Sequence, residues 1–157
     1  MTTRIAIAQC SPALGSFSRN LALHEDWIAR AREAKASLVV FPELSLTGYY
    51  LKDLAGEIAR PADDASLAPI VTASRDIDVS AGFVERRHDG RLQIGQGYWS
   101  GGERRHVPRK VYLPTYGLFD AGRYCGAGER FATLAFAGGS AETRLCGEVG
   151  HVAEEYA

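Results

Sequence analysis

Three side chains stand out for the chemistry they could do together: the carboxylate of Glu43, the ammonium of Lys110 and the thiol of Cys146. A thiol is the best nucleophile near neutral pH, but only once it is deprotonated. A carboxylate held in a buried setting can take that proton and later activate a water. An ammonium beside both stabilises negative charge that builds on a substrate. Such a set suits hydrolysis of an amide or nitrile through a covalent intermediate. The three lie 67 and 36 residues apart, so only the fold could gather them. Each also has a plainer reading: Glu43 as a solvated loop carboxylate, Lys110 as a snorkelling surface lysine, Cys146 as a small buried strand-end cysteine.

The elements that must position them are legible as a pattern. Leu38-Val39-Val40-Phe41 reads as a short strand buried on both faces. Pro42 ends it, having no N–H for the ladder. Glu43 then falls just past a strand end, where open α/β folds place their chemistry. Upstream, Arg4 to Gln9 reads as a first strand, and Ser11-Pro12 and Gly15 as a loop. Ser18 or Asn20 is expected to cap a helix through Ala36. Its apolar face is read as Leu23, Trp27, Ala31 and Ala34, with Trp27 as a core anchor and charged residues opposite. Strand, helix and buried strand make a βαβ unit, so the first two strands should be parallel.

Downstream, Lys52 to Arg60 forms a short helical turn before Pro61. Asp63 or Asp64 caps a second helix with Leu67, Ile70, Val71 and Ala73, and Pro69 delays or kinks it. Val79 to Val84 is a third strand. Asp89-Gly90 turns the chain into Leu92 to Trp99, antiparallel to it. After Ser100-Gly101-Gly102, Arg104 to Tyr112 returns as a further strand that carries Lys110 at its end. Glu85 to Lys110 holds seven Lys/Arg against three Asp/Glu, read here as solvated hairpin ends rather than a nucleic-acid surface. Tyr112 to Arg130 is a long loop rich in Gly and aromatics, of the kind that is more often functional than structural. Thr133 to Phe136 and Thr143 to Cys146 are expected to pair as a hairpin around Gly138-Gly139.

The 157 residues are 46% hydrophobic and 24% charged, an ordinary composition for one globular domain, here taken as residues 1–157. A net charge of −1 gives no global attraction to nucleic acid or an anionic membrane. No apolar run reaches the ~18 residues of a membrane span, and the first nine residues make no secretory signal. Cys10, Cys125 and Cys146 are odd in number and share no Cys-x-x-Cys spacing. That argues against a disulfide scaffold or zinc site and suits a reducing cytoplasm.

Two segments carry a family resemblance. Phe41-Pro42-Glu43-Leu44 followed by Leu46-Thr47-Gly48-Tyr49 resembles the first active-site motif of the nitrilase (carbon–nitrogen hydrolase) superfamily. Arg109-Lys110-Val111-Tyr112-Leu113-Pro114-Thr115-Tyr116-Gly117-Leu118-Phe119-Asp120 is similar to the segment carrying that superfamily's catalytic lysine. The resemblance implies Glu43 as general base, Lys110 as oxyanion stabiliser and Cys146 as nucleophile. It also implies cleavage of non-peptide C–N bonds of small amides, nitriles or carbamoyl compounds, without metal or organic cofactor. The implied fold is α/β, a nitrilase-like α-β-β-α sandwich with a mixed sheet and helices on one face, commonly doubled in a dimer.

Two departures qualify that match. The family's lysine segment usually continues Asp-Glu-Gly-Arg-Tyr-Phe, and its glutamate helps position substrate and lysine; here Asp120 is followed by Ala121. The nucleophile motif usually reads Cys-Glu-Asp with Trp-His shortly after, whereas here Cys146 leads into Gly147-Glu148-Val149-Gly150-His151. Eleven residues follow Cys146, and family domains run well beyond that point. The chain is therefore expected to hold only the N-terminal part of such a domain, as a truncated gene, frameshift product or fragment. An exposed sheet face would then make it self-associate or aggregate. Two other functional readings stay open: an impaired remnant without turnover, or a glutaminase portion supplying ammonia, as in glutamine-dependent NAD synthetases. Those synthetases share the Phe-Pro-Glu and Leu-Thr-Gly-Tyr loop, but no synthetase P-loop is found in this sequence.

Overall fold

β1 (Ile5–Ile7) and β2 (Leu38–Val40) pair in parallel with Ile5 opposite Leu38, and α1 (Phe17–Glu33) makes the crossover between them. This is the expected βαβ unit, seen in a computed structural model that describes residues 3–113, 121–129, 132–136 and 139–143. β3 (Asp78–Arg86) joins β2 in parallel, with Val39 opposite Val79. β4 (Leu92–Ser100) folds back on β3 through the Asp89-Gly90 turn, and β5 (Glu103–His106) folds back on β4. The mixed five-stranded sheet thus runs in the order β1-β2-β3-β4-β5.

One row of side chains, Val39, Val79, Ala81, Phe83 and Trp99, is wholly buried and belongs to the main core with Ile28 and Ala31 of α1. α3 (Ala68–Ala73) adds Ile70 to that core. Leu38 and Tyr98 form a smaller separate cluster with Val40 against it. β1 lies at the sheet edge, and its Ile5 and Ile7 are 46% and 79% exposed.

Between β2 and β3 the chain makes a 3-10 turn at Lys52–Leu54, α2 (Ala55–Ile58), a second 3-10 turn at Ala65–Leu67, and α3. Asp64 caps the second turn by accepting from the Ser66 N–H at 2.8 Å, and Pro69 sits in the first turn of α3, where its missing N–H costs nothing. The delayed start expected for this helix is therefore what forms.

Four local expectations need correction. α1 begins after Ser16, which makes no side-chain cap, and neither Ser18 nor Asn20 caps it. Its buried stripe is Phe17, Asn20, His24, Ile28 and Ala31, so Trp27 is a half-buried margin residue, with the Arg30 guanidinium 5.5 Å from its ring. The strand expected from Arg104 to Tyr112 ends at His106, after a register shift in its pairing with β4 and just before Pro108, and pairing resumes only as a bridge between Gly95 and Arg109. The last hairpin is β6 (Ala132–Phe136) and β7 (Gly139–Thr143), with Gly139 already paired to Phe136, so the second strand starts four residues earlier than expected. α4 (Ala121–Tyr124) is a short helix inside the long aromatic segment.

Candidate active site

Glu43 is brought to the site by a loop that takes the place beside β3 that a longer β2 would occupy. Phe41 N–H donates to Ser80 O at 2.8 Å, and Leu46 N–H donates to Gly82 O at 2.9 Å. Between them the chain turns tightly, with Thr47 and Gly48 N–H both donating to Leu44 O at 3.1 and 2.7 Å. Leu44 carries φ 57°, a left-handed conformation that a side chain makes costly. Its side chain is nonetheless buried in the core, which helps hold the turn. Gly82 makes the approach possible. A Cβ there would stand 2.4 Å from Leu44 N and 2.9 Å from Pro42 O.

A buried polar relay fastens this loop to α1. His24 Nδ1 lies 2.6 Å from Asn20 O, and a carbonyl only accepts, so Nδ1 carries the proton. In the neutral ring Nε2 is then an acceptor, and the Ser45 hydroxyl donates to it at 2.9 Å. Ser45 Oγ in turn accepts the Gly82 N–H at 3.2 Å. His24 also stacks on Phe41 at 4.0 Å. Burial lowers its pKa from 6.5 to about 4, against a smaller opposing effect of the bond to Asn20, so the neutral ring is the form at neutral pH. Asn20 completes the clip, holding Ala13 through both its N–H and carbonyl and donating to Leu46 O at 3.1 Å.

Lys110 arrives from the other side. Its N–H donates to Ile94 O at 2.9 Å, and its carbonyl accepts from Gly128 N–H at 2.7 Å. Gly128 is needed there because a Cβ would meet Arg109 O at 2.5 Å. Gln96 ties the two arms: its backbone N–H donates to Pro108 O at 2.9 Å, and its side-chain Nε2 donates to Phe41 O at 3.2 Å.

These two arms meet in one ion pair. Lys110 Nζ donates to both Glu43 oxygens at 2.8 Å, with the lysine side chain 1% and the carboxylate 10% exposed. The plainer readings of both residues, a solvated carboxylate and a surface lysine, do not hold. Chemically the pair offers a base and a cation within one hydrogen bond of each other, with the cation shielded from bulk water and the carboxylate only slightly exposed. Cys146, the third candidate, lies outside the described residues. Ala121 opens α4. Among the described residues no three His, Cys, Asp or Glu side chains group as metal ligands, and no helix is long and apolar enough to cross a membrane.

His24, Ser45, Gly82 and Gln96 escaped the sequence reading. The signal for His24 was there: Asn20, His24, Ile28 and Ala31 fall at helical spacing, but a search for apolar residues alone selects the neighbouring face. Gly82 inside a strand was a second signal, since such glycines often mark a close backbone approach.

Comparison with known proteins places this geometry in context. A family model described as Carbon-nitrogen hydrolase matches residues 4–152. The chain is 29% identical over 149 residues to a glutamine-dependent NAD(+) synthetase of Thermotoga maritima, covering 93% of this chain and 26% of that protein. It therefore spans about a quarter of that relative's length. Among solved structures it superposes with a TM-score of 0.82 on a glutamine-dependent NAD+ synthetase from Acinetobacter baumannii, at 28% identity, covering 95% of this chain and 28% of the other. An amidase from Nesterenkonia sp. gives a TM-score of 0.79 at 25% identity, covering 94% and 56%. The mixed sheet with its helices is that of the nitrilase-like α-β-β-α sandwich. By its sequence match and its fold, the chain belongs to the carbon-nitrogen hydrolase family.

Proposed function

We propose that this chain is built to hydrolyse the C–N bond of a small amide, nitrile or carbamoyl compound through a thioester, with Glu43 as base, Lys110 as oxyanion stabiliser and Cys146 as nucleophile. The observation that carries the reading is the Lys110 ammonium, buried and held by both Glu43 oxygens at 2.8 Å across 67 residues of sequence. A buried charge pair is an expensive way to stabilise a fold, and Glu43 lies just past the end of β2, where open α/β folds place their chemistry. In the amide case, Glu43 takes the Cys146 proton, Sγ bonds to the carbonyl carbon, and the oxyanion forms beside Lys110. The C–N bond then breaks, and ammonia leaves with the proton returned by Glu43. A water, deprotonated by the same carboxylate, next cleaves the thioester and frees the thiol. The other two thiols are poor candidates: burial pushes Cys125 up to about 11 and raises Cys10, which keeps both protonated at neutral pH.

A second reading has its own support. The curated relatives matched here are glutamine-dependent NAD(+) synthetases, which favours glutamine as the amide and ammonia as the useful product. A third, an impaired remnant, draws on Ala121, since loss of a positioning carboxylate commonly costs about 10–100-fold in comparable sites. We take residues 1–157 as one portion of a single hydrolase domain, working without metal or organic cofactor in the cytoplasm and self-associating through its exposed edge. Ammonia release from glutamine and a panel of small amides, with Cys146→Ala as control, separates the readings. Release from several amides supports the first, from glutamine alone the second, and from neither the third. Release that survives Cys146→Ala would falsify the proposed nucleophile.

A further inference from the structure

The basic stretch from Glu85 to Lys110 acquires a shape in the fold. A cavity of about 260 Å³ opens between the loop at Pro61–Asp63, the end of β3 with its turn, and β5. Five guanidinium groups line it, those of Arg86, Arg87, Arg104, Arg105 and Arg109, against two carboxylates, Asp63 and Glu85. His88 and His106 complete the polar lining.

Most of the local negative charge is already engaged. Glu85, 4% exposed, takes Arg109 on both oxygens at 2.6 and 3.0 Å, with Arg87 3.7 Å away. Arg105 pairs with Glu103 at 2.9 Å and Arg86 donates to Gly56 O. The Arg104 side chain, on the β5 ladder opposite Trp99, makes no hydrogen bond or ion pair among the described residues. The hollow thus keeps an excess of cation over anion, partly enclosed, where attraction is less screened than on an open surface.

Edge strands also carry charge to discourage pairing with other chains. That purpose needs only the charges of β5 itself. It does not call for Arg86 and Arg87 from β3 and its turn, or Arg109 from the bridge beyond Pro108, to converge on one concavity. Guanidinium forks match the oxygens of phosphate in paired hydrogen bonds, and the volume is below that of ordinary drug-sized pockets. We propose that this cavity binds a compact, multiply charged oxyanion of the phosphate type, separately from the Glu43–Lys110 site.

The test is isothermal titration of the intact chain with inorganic pyrophosphate at low ionic strength. Saturable binding at one site per chain is expected, weakened at least tenfold by the Arg86→Ala/Arg104→Ala double variant and by added salt. Arg19→Ala and Arg30→Ala on α1 should leave it unchanged, and circular dichroism confirms that each variant is folded. The single exchange Arg104→Glu, at an exposed position, should weaken it as well, which guards against misfolding of the double variant. No saturable binding at millimolar pyrophosphate, or binding that the cavity variants leave intact, overturns the proposal.

Discussion

Glu43→Gln removes the charge that Lys110 is buried against, and its cost follows from the geometry. The ammonium is 1% exposed and donates to both carboxylate oxygens at 2.8 Å. Removing one member of a buried pair leaves the other charge without its partner, which costs about 3–5 kcal/mol, against 0–1 kcal/mol for an exposed pair. A domain of this size has roughly 5–15 kcal/mol in total, so a large share is at stake. Lys110→Met should cost slightly less than Glu43→Gln, because the carboxylate left behind still reaches some solvent. Combining the two removes both charges, so the double variant should lose about 2–3 kcal/mol less than the sum of the singles. Urea unfolding at pH 7 reads these directly, with the midpoint falling by roughly 2 M for a slope of about 2 kcal/mol per M. Single variants that each cost under about 1 kcal/mol, with an additive double, would show that the pair is solvated.

Further outcomes follow from other residues. Gly82→Ala places a Cβ 2.4 Å from Leu44 N and must displace the Glu43 loop; a shift of about 1 Å costs up to about 100-fold in turnover, and ammonia release measured where the variant is still folded checks this. The low pKa of His24, about 4 in the folded chain against 6.5, means that the unfolded chain binds the extra proton first as pH falls. Its contribution is complete above pH 6.5 and is lost between 6.5 and 4, by about 3 kcal/mol at most. His24→Gln should flatten that part of the stability–pH curve, and an unchanged slope in urea titrations would refute the buried neutral ring. Ile7, 79% exposed on the edge strand, should drive association, so size-exclusion chromatography should show dimers or larger species that Ile7→Lys shifts toward monomer. Ala121→Glu should raise any measurable turnover by about 10–100-fold, read as ammonia release at saturating amide.

The parts of the fold that were legible in sequence are those where a local signal and the tertiary outcome agree. The Asp89-Gly90 turn, the apolar Leu38-Val39-Val40 run and Pro42 each specify one local structure, and the parallel β1–β2 pair and the antiparallel β3–β4 hairpin follow from such signals. The failures occur where a tertiary contact overrides the local signal, or where a proline ends a run that otherwise favours pairing. α1 buries Asn20 and His24 because the Glu43 loop supplies their partners, Leu46 O and Ser45 Oγ, and a loop 21 residues away cannot be seen in the helix's own periodicity. The strand through Lys110 breaks because Pro108 interrupts a run whose residues otherwise favour pairing. At the site, the identities of Glu43 and Lys110 came from motif resemblance, whereas their mutual distance needed the fold.

The most direct measurement is mass spectrometry of the acid-quenched protein after mixing with glutamine or a small amide. The expected result is a transient acyl adduct that peptide mapping assigns to Cys146 and that disappears in Glu43→Gln and Lys110→Met variants shown to be folded. Ammonia release with no adduct, or an adduct on Cys10 or Cys125, would contradict a thioester mechanism at Glu43, Lys110 and Cys146.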